Sequence, residues 1–322
     1  MKNKIMLIGS GGIGDLYMFL PALRGMKEKW GEDSEIHILA DELDGPKRDL
    51  VWGQPDIDKV ISQNEFGNLP VNDFDLTYNV DSLSFSPTAL LKDKYHYYDM
   101  WERAFGINMW SNYPPKLYYS KEEEAEISGF MKQFDYPALI HTIHTKRVPA
   151  GKALPQDFWE WLLPQYPNIQ FIQVGTKGGG YHGHLGDMDF DLKHIPNVID
   201  IRGKYSIRQA GLLMKYVKFH ISMDSIMAHL SATTHTSGVV VWGATSPSYF
   251  GHKHNINLYK KRECSPCIEL KRGRENCCQK NGIEYPWKGI KNAIDGIVKE
   301  NKKAAGTGNE SSSIFGIKLC VV

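Results

Sequence analysis

MLIGSGGIGDLYMFLPALRGM, residues 6–26, runs from an apolar stretch through a glycine-dense turn into an apolar-periodic segment. A buried strand feeding a glycine turn and then a helix is the opening of a βαβ unit. Gly9, Gly11 and Gly14 are spaced G-x-G-x-x-G, a pattern that lets the backbone approach a pyrophosphate closely. The next residue, however, is Asp15. Helix N-termini favour anions, so a carboxylate there competes with a phosphate and is itself held in its charged form. The residues alone leave three readings open. The loop is a dinucleotide cradle, with Asp41 after the strand EIHILA for the ribose. Or it presents Asp15 for base chemistry, or Asp15 is a plain helix cap.

Outward from this loop the alternation continues. After residues 15–29 as a helix come the strands EIHILA, KVIS and FDLTYNV. The stretch 86–106 then reads as one helix, with Ser86 as N-cap and Pro87 at its first position. Residues 118–137 are charged and end near a proline, which places the connection between domains there. The pattern restarts with ALIHTIH as a strand, a helix from Pro155, and IQFIQVG as a strand. VIDIRG follows as a strand, then a helix capped by Ser206, the strand FHISMD, a short helix IMAHLSATT and the strand SGVVVWG. The order predicts an α/β protein of two Rossmann-like βαβ domains facing a central cleft. Residues 1–136 form the first and 137–285 the second, followed by a helix over 286–300 and a Gly/Ser-rich disordered tail over 301–322.

Composition sets limits. In 322 residues there are 38 Lys and Arg against 37 Asp and Glu, a net charge of +1, which does not indicate a nucleic-acid binder. No run of about 18 apolar residues predicts a membrane span, and the N-terminus carries no secretory signal, so the cytoplasm is expected. Four cysteines crowd together as Cys264, Cys267, Cys277 and Cys278. The first pair has zinc-knuckle spacing, but adjacent cysteines rarely ligate one ion well, so no metal is expected. The surrounding basic run, KKRECSPCIELKRGREN, suits a peripheral contact with anionic head groups or a solvated surface.

Five segments, in order, then carry a resemblance. GSGGIGDLYMFLPALRGMKEKW has a Gly-Asp pair and an apolar helix with Pro21. GKALPQDFWEWL, NVIDIRGKYSIRQAGLLM, ISMDSIMAHLSATTHTSGVVVWGATSP and CSPC follow it. Together they resemble the ADP-heptose:lipopolysaccharide heptosyltransferases, inverting glycosyltransferases of the GT-B fold. The resemblance implies a nucleotide-sugar donor, a glycan or glycolipid acceptor, a peripheral contact at the inner face of the membrane and no cofactor.

It also implies roles. Asp15, presented by Gly11, Gly12 and Gly14, is the base that deprotonates the acceptor hydroxyl. Lys152 contacts the donor phosphate, and Asp224 and Ser225 form the donor-site pair, with His229 one helical turn on. Gly243, Thr245 and Ser246 suit a turn that cradles a diphosphate, and Asp200 suits a ribose hydroxyl. This chain departs from the family pattern at Leu154, where the family has Trp, at Ile226, where it has Gly, and at Ala244, where it has Pro. A Cβ at residue 226 restricts close approach of a ligand. Two rival readings remain: an NAD(P)-dependent oxidoreductase built on the first loop, and a nucleotide-sugar-binding protein without turnover.

Overall fold

A computed structural model of the chain describes residues 3–9, 12–40, 45–62, 73–79, 95–109, 115–142, 154–177, 191–243, 245–261 and 285–306. The chain divides into two compact units, Met1–Ser120 and Lys121–Val322.

In the first unit four parallel strands, β1 (Lys4–Gly9), β2 (Glu35–Ala40), β3 (Lys59–Ser62) and β4 (Leu76–Asn79), lie in the order β3-β2-β1-β4. Helices α1 (Ile13–Trp30), α2 (Pro46–Val51) and α3 (Tyr97–Phe105) complete its described elements. Helix α1 is buried along most of its length because aromatic side chains of α3 cover it. Phe19 meets Trp101 edge-on at 4.9 Å, and Trp101 stacks on Phe105 at 5.5 Å. The expected helix over 86–106 is corrected here. Residues 95 and 96 are not helical, and α3 starts afresh at Tyr97. The cause is a capping box: His96 Nδ1 accepts from Tyr98 N–H, and Asp99 accepts from His96 N–H at 2.9 Å. The Ser86–Pro87 start lies outside the described residues.

The second unit opens with α4 (Lys121–Met131), which the charged stretch contributes to this side of the division. Arg208 ties it to the unit, its guanidinium donating to Glu123 at 2.5 Å. Six parallel strands follow: β5 (Pro137–His141), β6 (Gln170–Val174), β7 (Val198–Asp200), β8 (Phe219–Met223), β9 (Gly238–Trp242) and β10 (Ile256–Tyr259). Their order is β10-β9-β8-β5-β6-β7. The sequence reading ended the sheet at β9; β10 is an additional edge strand. The helices are α5 (Gln156–Leu162), α6 (Ile207–Leu213), α7 (Ile226–Thr234), α8 (Pro247–Phe250) and α9 (Trp287–Gly306).

Side chains alternate across a strand, which sorts β8 into two faces. Phe219, Ile221 and Met223 enter a core with Phe158 and Trp159 of α5 and Ile290, Ile294 and Ile297 of α9. His220 and Ser222 face the other way and are also buried. Helix α9 corrects the expected tail: it continues to Gly306 rather than ending at 300. Asn301 anchors the extension by donating to the Lys218 carbonyl at 3.2 Å. Residues 307–322 lie outside the described residues.

Candidate functional site

In open parallel sheets, ligands bind outside the carboxyl ends of strands, where the strand order reverses. In the first unit the chain runs outward from β1 through β2 to β3 and returns to β4 on the other side of β1. The reversal lies between β1 and β4, and the glycine loop leaves β1 at that point. Asp15 occupies the first turn of α1, half-buried. Its carboxylate folds back and accepts from the Gly12 N–H at 3.0 Å. Gly12 allows this approach: a Cβ there would sit 3.1 Å from the Asp15 Oδ2. Tyr97 of α3 donates its hydroxyl to the Asp15 carbonyl at 3.3 Å, which ties the turn to the aromatic cluster. Gly14 is the second residue of the same helix, and Gly11 lies outside the described residues.

The second unit repeats the logic. The chain runs from β5 outward through β6 to β7, then returns to β8 beside β5 and continues through β9 to β10. The reversal falls between β5 and β8. Asp224 and Ser225 follow β8 directly, at the entry to α7. Asp224 is buried, and Thr245, beyond the end of β9, donates its hydroxyl to the Asp224 carboxylate. Ser225 Oγ lies 3.1 Å from Nδ1 of His141, the last residue of β5. These two contacts stitch the carboxyl ends of three adjacent strands, β9, β8 and β5. His141 is a site residue that the motifs do not reveal; its signal in the sequence is a polar ending to the apolar strand ALIH.

Other expected residues sit differently. Asp200 ends β7, away from the reversal, and is bound by Arg202 through Nε at 2.8 Å and Nη2 at 3.0 Å. The Arg202 hydrogen bonds hold its carboxyl below the usual range. His229 is buried on α7, with its Nδ1 3.1 Å from Nε2 of His252. Ser246 caps α8, accepting from Ser248 N–H at 3.2 Å, and Gly243 is half-buried just after β9. Ile226 stands at the first position of α7, so the Cβ noted above begins that helix. Lys152, Asp41, Ala244 and the four clustered cysteines lie outside the described residues. Among the described residues no group of three His, Cys, Asp or Glu is placed to hold a metal ion.

A cavity of about 430 Å³ lies elsewhere in the first unit, along the later part of α1. Its Arg24 is taken up by Asp56 at 2.9 Å, and its Lys27 by Asp58 at 2.7 Å.

Residues 188–278, from before β7 to beyond β10, match the family described as Glycosyltransferase family 9 (heptosyltransferase). That segment is similar to the family over less than a third of the chain. The family match spans Asp224, Ser225 and Thr245, and leaves Asp15 outside it. No curated protein sequence matches the chain.

Solved structures agree on the fold. The glycosyl transferase family 9 protein from Veillonella parvula DSM 2008 has a TM-score of 0.68 at 16% identity, covering 93% of this chain and 98% of that one. ADP-heptose lps heptosyltransferase II of E. coli has a TM-score of 0.63 at 16% identity, covering 94% and 100%. E. coli heptosyltransferase WaaC, solved with ADP, has a TM-score of 0.52 at 14% identity, covering 92% and 99%. The fold of this chain is thus α/β, of the GT-B class. Among the described residues no helix is long and apolar enough to cross a membrane.

Proposed function

We propose that the chain is a glycosyltransferase that transfers a sugar from a nucleoside-diphosphate donor with inversion. By resemblance the sugar is a heptose carried on ADP, and the acceptor is a cell-surface glycan or its lipid-linked precursor. The observation that carries the reading is Asp15, a carboxylate on the first turn of α1 at the strand-order reversal of the first unit, bonded to Gly12 N–H. In the reaction the acceptor oxygen attacks the anomeric carbon while Asp15 takes its proton. The bond from that carbon to the phosphate oxygen breaks, and the nucleoside diphosphate leaves with the electron pair. One base suffices, since no covalent intermediate forms.

The second unit supplies the donor site in this reading. Asp224, Ser225, Thr245 and Ser246 lie on loops after β8 and β9, with Gly243 at the turn, and Lys152 neutralises diphosphate charge. No metal or cofactor is required. Asp200 acts through Arg202, whose guanidinium it orients, and His229 acts from within α7, paired with His252. The solved E. coli relative that carries ADP supports a nucleoside diphosphate as the ligand class. The reaction takes place on the cytoplasmic side, with a peripheral contact at the inner face of the membrane, where a lipid-linked acceptor is presented.

The Asp15 geometry also speaks against a dinucleotide cofactor. The Gly12 N–H, which would serve a pyrophosphate, is taken by the carboxylate, and a second anion at the same turn is repelled. A binding screen of nucleotide sugars tests the proposal, followed by mass spectrometry of donor hydrolysis and transfer products. Selective binding and turnover of an ADP-sugar is expected. Binding of a nicotinamide dinucleotide that no nucleotide sugar displaces would overturn it.

A further inference from the structure

Among the described residues of the second unit, three serines stand at helix N-caps, and one behaves differently. Ser206 accepts from Gln209 N–H at 3.2 Å, and Ser246 accepts from Ser248 N–H at 3.2 Å. Both satisfy a first-turn amide, as a capping serine ordinarily does. Ser225 stands at the N-cap of α7, with φ −153° and ψ 171°, yet its hydroxyl makes no bond to that helix. It turns instead to His141 Nδ1, 3.1 Å away on the neighbouring strand end. A stabilising cap is given up at the strand-order reversal, the place where such sheets bind ligands.

We infer that His141 is a positioning residue of the donor site: it holds the Ser225 hydroxyl off the α7 cap and sets which way its proton points. The inference rests on the donor-site reading above. A hydroxyl has one proton to give. If Nδ1 of His141 is bare, Ser225 spends that proton on the ring. If Nδ1 carries hydrogen, the ring donates to Oγ, and the Ser225 O–H is left to donate elsewhere. A diphosphate accepts hydrogen bonds and donates none, so it selects the second arrangement. His141 thus acts on the donor through Ser225. The strand end it occupies is fixed by its neighbour, since Thr142 is fully buried and accepts from Gln173 of β6 at 2.7 Å.

The test uses the full chain, ADP as the probe and calorimetry, with donor kinetics alongside. An asparagine amide can donate from near the Nδ1 position, whereas alanine cannot. His141→Ala and Ser225→Ala are each expected to weaken ADP binding about tenfold, the scale of one hydrogen bond to a charged group. The double variant should also lose about tenfold rather than the product of the two, because both remove the same interaction. His141→Asn should restore binding to within about threefold of wild type, a recovery of most of that bond. In turnover the loss should appear in the donor KM more than in kcat. ADP affinity unchanged in His141→Ala, or multiplying losses in the double variant, would overturn the inference alone. Failure of the wild-type protein to bind any nucleoside diphosphate would overturn the donor-site reading, and the inference with it.

Discussion

Acid should destabilise the second unit through a buried histidine to which no chemical role is assigned. His220 on β8 is fully buried. Its Nε2 lies 3.0 Å from Asn255 Oδ1, and its Nδ1 lies 3.3 Å from Ser222 Oγ. An amide oxygen can only accept, so Nε2 carries hydrogen. Burial pushes its pKa down to about 4, against an ordinary 6.5. The fold therefore prefers the neutral ring. Its stabilising contribution is complete above pH 6.5 and is lost as the pH falls from there toward 4. The whole gap, at about 1.4 kcal/mol per pH unit, is worth about 3 kcal/mol, of which about 2 kcal/mol is gone by pH 5. His254, pushed down to about 3 chiefly by burial, adds to the same trend, so one site must be isolated. Urea unfolding of the wild type and of His220→Gln at several pH values from 8 to 5 does this. Glutamine can still donate to Asn255 but does not titrate. The stability difference between the two proteins should shrink by about 2 kcal/mol across that range, whatever its size at pH 8. Parallel stability profiles would show that His220 does not sit neutral in the fold, and the reasoning would fail.

Gly238 on β9 pairs with His220, and a Cβ there would sit 2.3 Å from the imidazole. Gly238→Ala should cost about 1–3 kcal/mol in urea unfolding, and combining it with His220→Ala should recover part of the loss. Asp15→Asn should fold normally, bind donor and lose about 10²–10⁴ in turnover; near wild-type turnover would remove Asp15 as the base. Asp224→Ala and Lys152→Ala should weaken binding of a nucleoside diphosphate in calorimetry. Wild-type affinity in both would place the donor site elsewhere.

Hydrophobic period carried most of the fold. Strands such as KIMLI and GVVVW are apolar on both faces, as buried parallel strands must be, and their spacing by helices was legible. What escaped the sequence was decided by single polar contacts. His96 is an unusual N-cap, since an imidazole must turn its Nδ1 back onto a backbone N–H; Ser86 and Pro87 gave the more conventional signal. The α9 extension depends on Asn301 reaching the Lys218 carbonyl, a partner distant in sequence. Strand β10 is short, and its asparagine serves the interior rather than a turn: Asn257 accepts from the Trp242 indole at 2.8 Å.

The candidate site divides along the same line. Asp15, Asp224, Ser225 and Thr245 were legible because each follows an apolar strand at a loop with recognisable local spacing. His141 was not, because nothing within its own segment marks it. It matters only because the chain, after β7, returns to lay β8 against β5. That return brings the end of one strand beside a loop 84 residues further along the sequence. The converse holds for Asp200 and His229. Their local spacing fits the motifs, yet the fold gives the first an arginine and the second a buried imidazole as partner. Local spacing can say which residues stand at the carboxyl ends of strands. Only the order of the strands says which of those ends meet. Any reading of function from motifs in such a sheet therefore gains most from asking what lies across the strand-order reversal. Here that question leads from Ser225 to His141.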